Sequence, residues 1–162
     1  MIVDGLTSHG TFMSPLVFSD ISRMLDKAGG GGLKRLYVAR PGSSRSISNE
    51  YELLELLGQK GFQVIDPGSM SFTQQVSAFK SAEIVIGVMG AAMTNIMFCP
   101  RGCKVINIAP ANFPDTFFYL ISCLRGLVYN EIRGKNDDES DSRNVPFRID
   151  LKKLVICLEN LL

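Results

Sequence analysis

Short apolar runs rich in β-branched residues alternate with segments of helical period along this chain, and that alternation restricts the fold more than any other feature. Leu36-Tyr37-Val38-Ala39, Phe62-Gln63-Val64-Ile65, Ile84-Val85-Ile86, Lys104 to Ile108 and Leu127 to Arg133 read as strands. Helices fall before and between them. Ser14-Pro15 opens the first, with Val17, Ile21, Met24, Leu25 and Ala28 on one face. A second, from Asn49 to Gln59, ends at Gly61, and Ser71-x-x-Gln74 is a capping box ahead of Phe72, Val76 and Phe79. Ala91 to Phe98 stops before Pro100, and a helix marked by Phe117, Leu120, Ile121 and Leu124 stops at Gly126. Asp150 caps a last helix bearing Leu151, Leu154, Val155, Leu158 and Leu162. Strands and helices in this order form βαβ units. The expected fold class is therefore α/β, a doubly wound parallel sheet covered on both faces.

The chain has 162 residues, which suits a single domain over 1–162, with the polar, acidic stretch 136–146 as a flexible loop. Hydrophobic residues make up 46% and charged residues 20%, a mix that excludes a disordered chain, a collagen and a coiled coil. The net charge of +1 argues against nucleic acid as a partner, because broad phosphate neutralisation needs a basic excess. His9 is the one histidine, so a His-based metal site and a Ser-His-Asp triad both lack material, and no metal or cofactor is expected. Cys99 and Cys103 are spaced C-x3-C without a second ligand pair nearby, and with Cys123 and Cys157 they read as free thiols in apolar surroundings. Met1-Ile2-Val3-Asp4 has neither the basic start nor the apolar run of a signal peptide. The uncharged stretch from Ile84 to Pro100 falls short of the roughly 20 residues of a spanning helix, so no transmembrane segment is expected.

Ligands of open α/β sheets bind beyond the carboxyl ends of the strands. Two segments belong at that edge. In Ile86-Gly87-Val88-Met89-Gly90-Ala91-Ala92-Met93-Thr94-Asn95 a strand passes through small residues into a helix start. Gly87, Gly90, Ala91 and Ala92 let a ligand approach the backbone, the helix amides favour an anion, and Thr94 and Asn95 add donors. The same small residues also suit plain close packing of helix on strand. In the second segment, Arg40 ends a strand and Arg45 follows in the next loop, ahead of Asn49. Two guanidiniums at one edge suit phosphate oxygens, each offering paired N–H donors. They equally suit pairing with a carboxylate such as Glu50. Taken as one site, the two segments fit a diphosphate, as in a nucleotide or nucleotide sugar.

The ordered set Arg35-Leu-Tyr-Val-Ala-Arg40, Ser44-Arg45-Ser-Ile-Ser-Asn49-Glu50, Gly61-Phe62, Ser71-Phe72-x-x-Gln75, Ala82-x-x-Val85-Ile86-Gly87-x-x-Gly90-Ala91, Thr94-Asn95 and Phe98 resembles family 61 glycosyltransferases. That group includes capsular polysaccharide biosynthesis proteins and eukaryotic xylosyl- and N-acetylglucosaminyltransferases. The likeness runs from about residue 8 to 133. It implies the Rossmann-like, donor-binding C-terminal half of a GT-B enzyme that is inverting and metal-independent and builds polysaccharide or glycan. By that resemblance Arg40, Arg45, Gly87, Met89, Gly90, Ala91, Ala92, Thr94 and Asn95 hold the diphosphate of a nucleotide sugar, and Ser71 and Gln75 lie near the nucleoside. The expected partner is the N-terminal acceptor domain or a partner chain, with homo-oligomerisation through the face that such a half leaves uncovered. Bacterial relatives place the chain in the cytoplasm, eukaryotic ones in a lumen.

Three positions depart from the family pattern. Met89 stands for a histidine, Ala92 for a glycine, and Asn107 for an acidic residue that could bind ribose hydroxyls. The general base of an inverting transfer belongs to the other half, so no catalytic residue is assigned. The alternative is a degenerate, non-catalytic transferase-like domain serving in protein interaction.

Overall fold

Residues 32–42, 44–113, 115–137 and 144–162 are described by a computed structural model, with the strand pieces 2–4 and 11–13 and positions 21 and 25. The order is β1 (Ile2–Asp4), β2 (Thr11–Met13), β3 (Arg35–Val38), α1 (Glu50–Gln59), β4 (Gln63–Ile65), α2 (Phe72–Lys80), β5 (Ile84–Val88), a 3-10 helix (Ala91–Phe98), β6 (Lys104–Pro110), α3 (Phe117–Arg125), β7 (Val128–Asn136), β8 (Phe147–Arg148) and α4 (Leu151–Leu161). A short 3-10 turn, Pro67–Ser69, lies between β4 and α2. His9 and the start of the first expected helix lie outside the described residues, as does 138–143 of the expected loop. Ile21 and Leu25 of that helix are helical and buried.

Six strands form one sheet in the order β4-β3-β5-β6-β7-β8, while β1 and β2 pair antiparallel apart from it. β3 to β7 are parallel, as the βαβ pattern requires. β8 is not: it runs antiparallel to β7 through Lys135↔Arg148 and Asn136↔Phe147, so the sheet is mixed. Every residue of β5 is buried, which is why its sequence is continuously apolar instead of alternating. One face carries Ile84, Ile86, Ile106 and Ile108 against Leu53 and Leu57 of α1 and Leu154 and Leu158 of α4. The other carries Val85, Met89 and Val105 against α2, the 3-10 helix and α3. Each such buried aliphatic side chain contributes about 1.5–3 kcal/mol relative to an exposed one.

The helix ends follow local chemistry. Ser71 accepts from the Gln74 amide while the Gln74 side chain accepts from the Ser71 amide, completing the capping box. Asp150 accepts from the amides of Lys152 and Lys153. Gly61 and Gly126 take left-handed conformations after α1 and α3. Ala91–Phe98 is a 3-10 helix, because its anchors Met93 and Ile96, with Cys99 just beyond, recur every third residue and are all buried. In α3 the buried residues are Phe118, Ile121 and Ser122, while Leu124 is exposed, so the inward face is turned from the expected one. Ser122 tolerates that place by donating its hydroxyl to the Phe118 carbonyl.

This topology creates the crevice. The chain leaves β3 for β4 at one side and returns to β5 at the other, so the connections diverge between the carboxyl ends of β3 and β5. No described helix is long and apolar enough to cross a membrane.

Candidate anion site at the carboxyl edge of the sheet

Arg40 follows β3 directly, after the Ala39 amide has made the last pairing with Ile65. Its Nη1 donates to the Met89 carbonyl at 2.7 Å, and Arg45 Nη1 donates to the same oxygen at 3.1 Å. The two guanidiniums therefore converge across the β3–β5 crevice. Burial moves both below the ordinary arginine range, and at Arg45 the field of Arg40 adds to it while Asp115 opposes it. An arginine stays protonated through such shifts, so the site presents two positive charges close together. One carbonyl uses a single N–H of each fork. Two converging guanidinium forks suit an anion as counter-charge.

The glycines of the loop divide between the two readings open from sequence. A Cβ on Gly87 would run into Met93 Sδ and come within 2.8 Å of Val38 Cβ, so Gly87 serves helix-on-strand packing. A Cβ on Gly90 would lie 2.7 Å from Arg40 Nη1, so the bare backbone there receives the guanidinium. Glu50 Oε1 accepts from the Tyr37 hydroxyl at 2.8 Å. Ala91 is exposed at the start of the 3-10 helix, and Ala92 and Thr94 are half-buried.

Several expected contacts serve the fold. Gln75 Nε2 donates to the carbonyls of Pro67 and Met70, and its Oε1 accepts from Asn95, which also reaches the Ala92 carbonyl. Ser71 is occupied as a cap. The Met89 side chain is 1% exposed and packs in the core, so only its backbone belongs to the site.

Sequence reading missed the residues that flank the arginines. Phe113 lies under Arg45, with the guanidinium carbon 4.7 Å from the ring centre. Arg133 Nη1 donates to the carbonyls of Pro110, Ala111 and Phe113 at 3.3, 3.4 and 2.7 Å, while Arg133 Nη2 pairs with Glu131 at 2.5 Å. Tyr129 donates to Glu131 at 2.6 Å, and fully buried Asn107 donates to both. Burial, with the neighbouring Glu131, pushes the Tyr129 hydroxyl far above the ordinary phenol range. The alternation Tyr129-x-Glu131-x-Arg133 on one strand was the available signal.

An open cleft of about 820 Å³ lies among Asn49, Arg133, Lys135, Arg148, Asp150 and Lys153, and its lining does not include Arg40 or Arg45. The cysteines are free thiols; Cys99 and Cys103 are buried, and burial raises Cys99 well above the usual thiol range, as does its contact with Cys103.

The model of the family described as Glycosyltransferase 61 matches residues 7–106. The EGF domain-specific O-linked N-acetylglucosamine transferase of Drosophila melanogaster is 28% identical over 96 residues. That alignment covers 57% of this chain and 18% of the relative, so the chain spans about a fifth of the relative's length. The family match takes in the arginine loop and the Gly87–Asn95 segment and covers more than half of the chain: this protein belongs to glycosyltransferase family 61.

Proposed function

We propose that this chain binds the nucleoside-diphosphate part of a donor sugar for an inverting, metal-independent glycosyltransferase that builds polysaccharide or glycan. The observation that carries this reading is the convergence of Arg40 and Arg45 on the Met89 carbonyl, with the Arg40 guanidinium lying against the bare backbone of Gly90. Two cationic forks at a half-buried edge stabilise the diphosphate that departs when the sugar is transferred. The two arginines take the place a divalent ion would fill. The base that receives the acceptor proton comes from an N-terminal domain or a partner chain, and a capsular type of enzyme, a GT-B arrangement and self-association belong to the same reading. The relative named above suggests a glycan built on protein as the second setting for such chemistry.

The buried Met89 side chain favours a second reading, a transferase-like module without activity, because it offers the ligand no donor at the family's histidine position. Calorimetric titration with UDP and GDP, first without metal and then with magnesium, separates the two. Metal-independent binding of either nucleotide supports the donor-binding reading. A folded protein that binds neither is the non-catalytic module.

A further inference from the structure

The contacts between β7 and the loop after β6 extend the arginine site beyond the residues that face it. Arg133 projects from β7 and is fixed from behind by Glu131, whose other oxygen is taken up by Tyr129 and Asn107. Held in this way, Arg133 closes on three backbone carbonyls of the 110–113 loop. That loop carries Phe113, and the Phe113 ring bears the Arg45 guanidinium 4.7 Å from its centre while Arg45 reaches the Met89 carbonyl at 3.1 Å. Asp115, two residues on, accepts from the Phe117 amide and so ties the far end of the loop to α3. An arginine side chain has many rotamers, and its affinity for an anion depends on how much of that freedom is already lost before the ligand arrives.

We propose that Arg133 is a positioning residue for the anion site: by clamping the 110–113 loop it fixes Phe113 as the shelf that orients Arg45 beside Gly90. Arg133 touches no ligand in this scheme. Its effect passes entirely through Phe113 and Arg45, which sets it apart from Arg40. The inference rests on the diphosphate reading above, but the clamp itself is measurable without a ligand.

The sequence contains no tryptophan, so Phe113→Trp puts a single reporter on the shelf. In that background Arg133→Gln is expected to increase acrylamide quenching of the reporter, and Arg133→Lys, which keeps the pair with Glu131, is expected to restore part of the protection. Pyrophosphate then serves as the probe by calorimetry. Arg133→Gln should weaken it about three- to tenfold, the cost of re-ordering one long side chain. In an Arg45→Gln background the same change should have no further effect, since the residue through which Arg133 acts is gone. Additive losses would overturn the positioning role, as would full affinity in a folded Arg133→Gln protein. If the wild-type chain binds no pyrophosphate, the diphosphate reading falls instead. The clamp is then judged by quenching alone, and unchanged quenching overturns it.

Discussion

At Gly90 the backbone is extended, with φ 169° and ψ 176°, so any residue fits the conformation and the restriction is one of space. The atom that a side chain would meet is the far end of Arg40, a flexible group that can swing away. Gly90→Ala is therefore expected to change stability by less than about 1 kcal/mol while weakening nucleoside-diphosphate binding about tenfold. Urea unfolding and calorimetry on the same preparation check both halves. Gly87 behaves in the opposite way. Its added methyl would meet Val38 Cβ and Met93, atoms held by the core, so Gly87→Ala should cost about 1–3 kcal/mol in urea unfolding. Both glycines looked alike in the sequence. What separates them is which neighbour the tertiary structure brings against each Cα, and no local pattern carries that.

Among the elements, those whose ends and faces are set locally were legible. The β-branched runs became β3 to β7, the Ser71–Gln74 box formed as written, and Asp150 capped α4. The strand β8 was not legible, because Phe147-Arg148 is too short to show a period, and its pairing comes from Lys135 and Asn136 across the chain. The threefold spacing of Met93, Ile96 and Cys99 was visible, yet its meaning as a 3-10 helix emerged only when all three proved buried. At the candidate site, Arg40 and Arg45 both reach the Met89 carbonyl at the sheet edge to which the strand pattern assigns them. Phe113 and Arg133 were missed, since their contacts follow from the register of β6 on β7, which pairs Ala109 with Arg133. The legible cap gives its own prediction. Ser71→Ala should cost about 1 kcal/mol by removing the acceptor for the Gln74 amide, and the loss should appear as a lower urea midpoint with an unchanged slope.

Over the whole molecule, distant parts of the chain are held by a few buried polar groups. Asn49 Nδ2 donates to the Ile149 carbonyl and Asn49 Oδ1 accepts from the Ile149 amide, both at 3.1 Å, joining the entrance of α1 to that of α4. Asn49→Ala leaves both backbone groups buried without partners and should cost about 2–4 kcal/mol in urea unfolding. Tyr37 and Tyr129 set the alkaline limit. Burial raises both well above the ordinary phenol value of 10.0, with hydrogen bonds to Glu50 and Glu131 adding to it. The unfolded chain then ionises first as pH rises. Stability is fully present below about pH 10 and falls above it, a slope that Tyr37→Phe should reduce in urea midpoints taken from pH 8 to 11. In the proposed site a diphosphate rests on the two arginines that meet at the Met89 carbonyl. The most direct test is the affinity of UDP or GDP, whichever binds, for an Arg40→Ala/Arg45→Ala protein shown to be folded by circular dichroism. The arginine pair predicts a loss of at least about a hundredfold, from two charge-assisted contacts. Undiminished binding would contradict it.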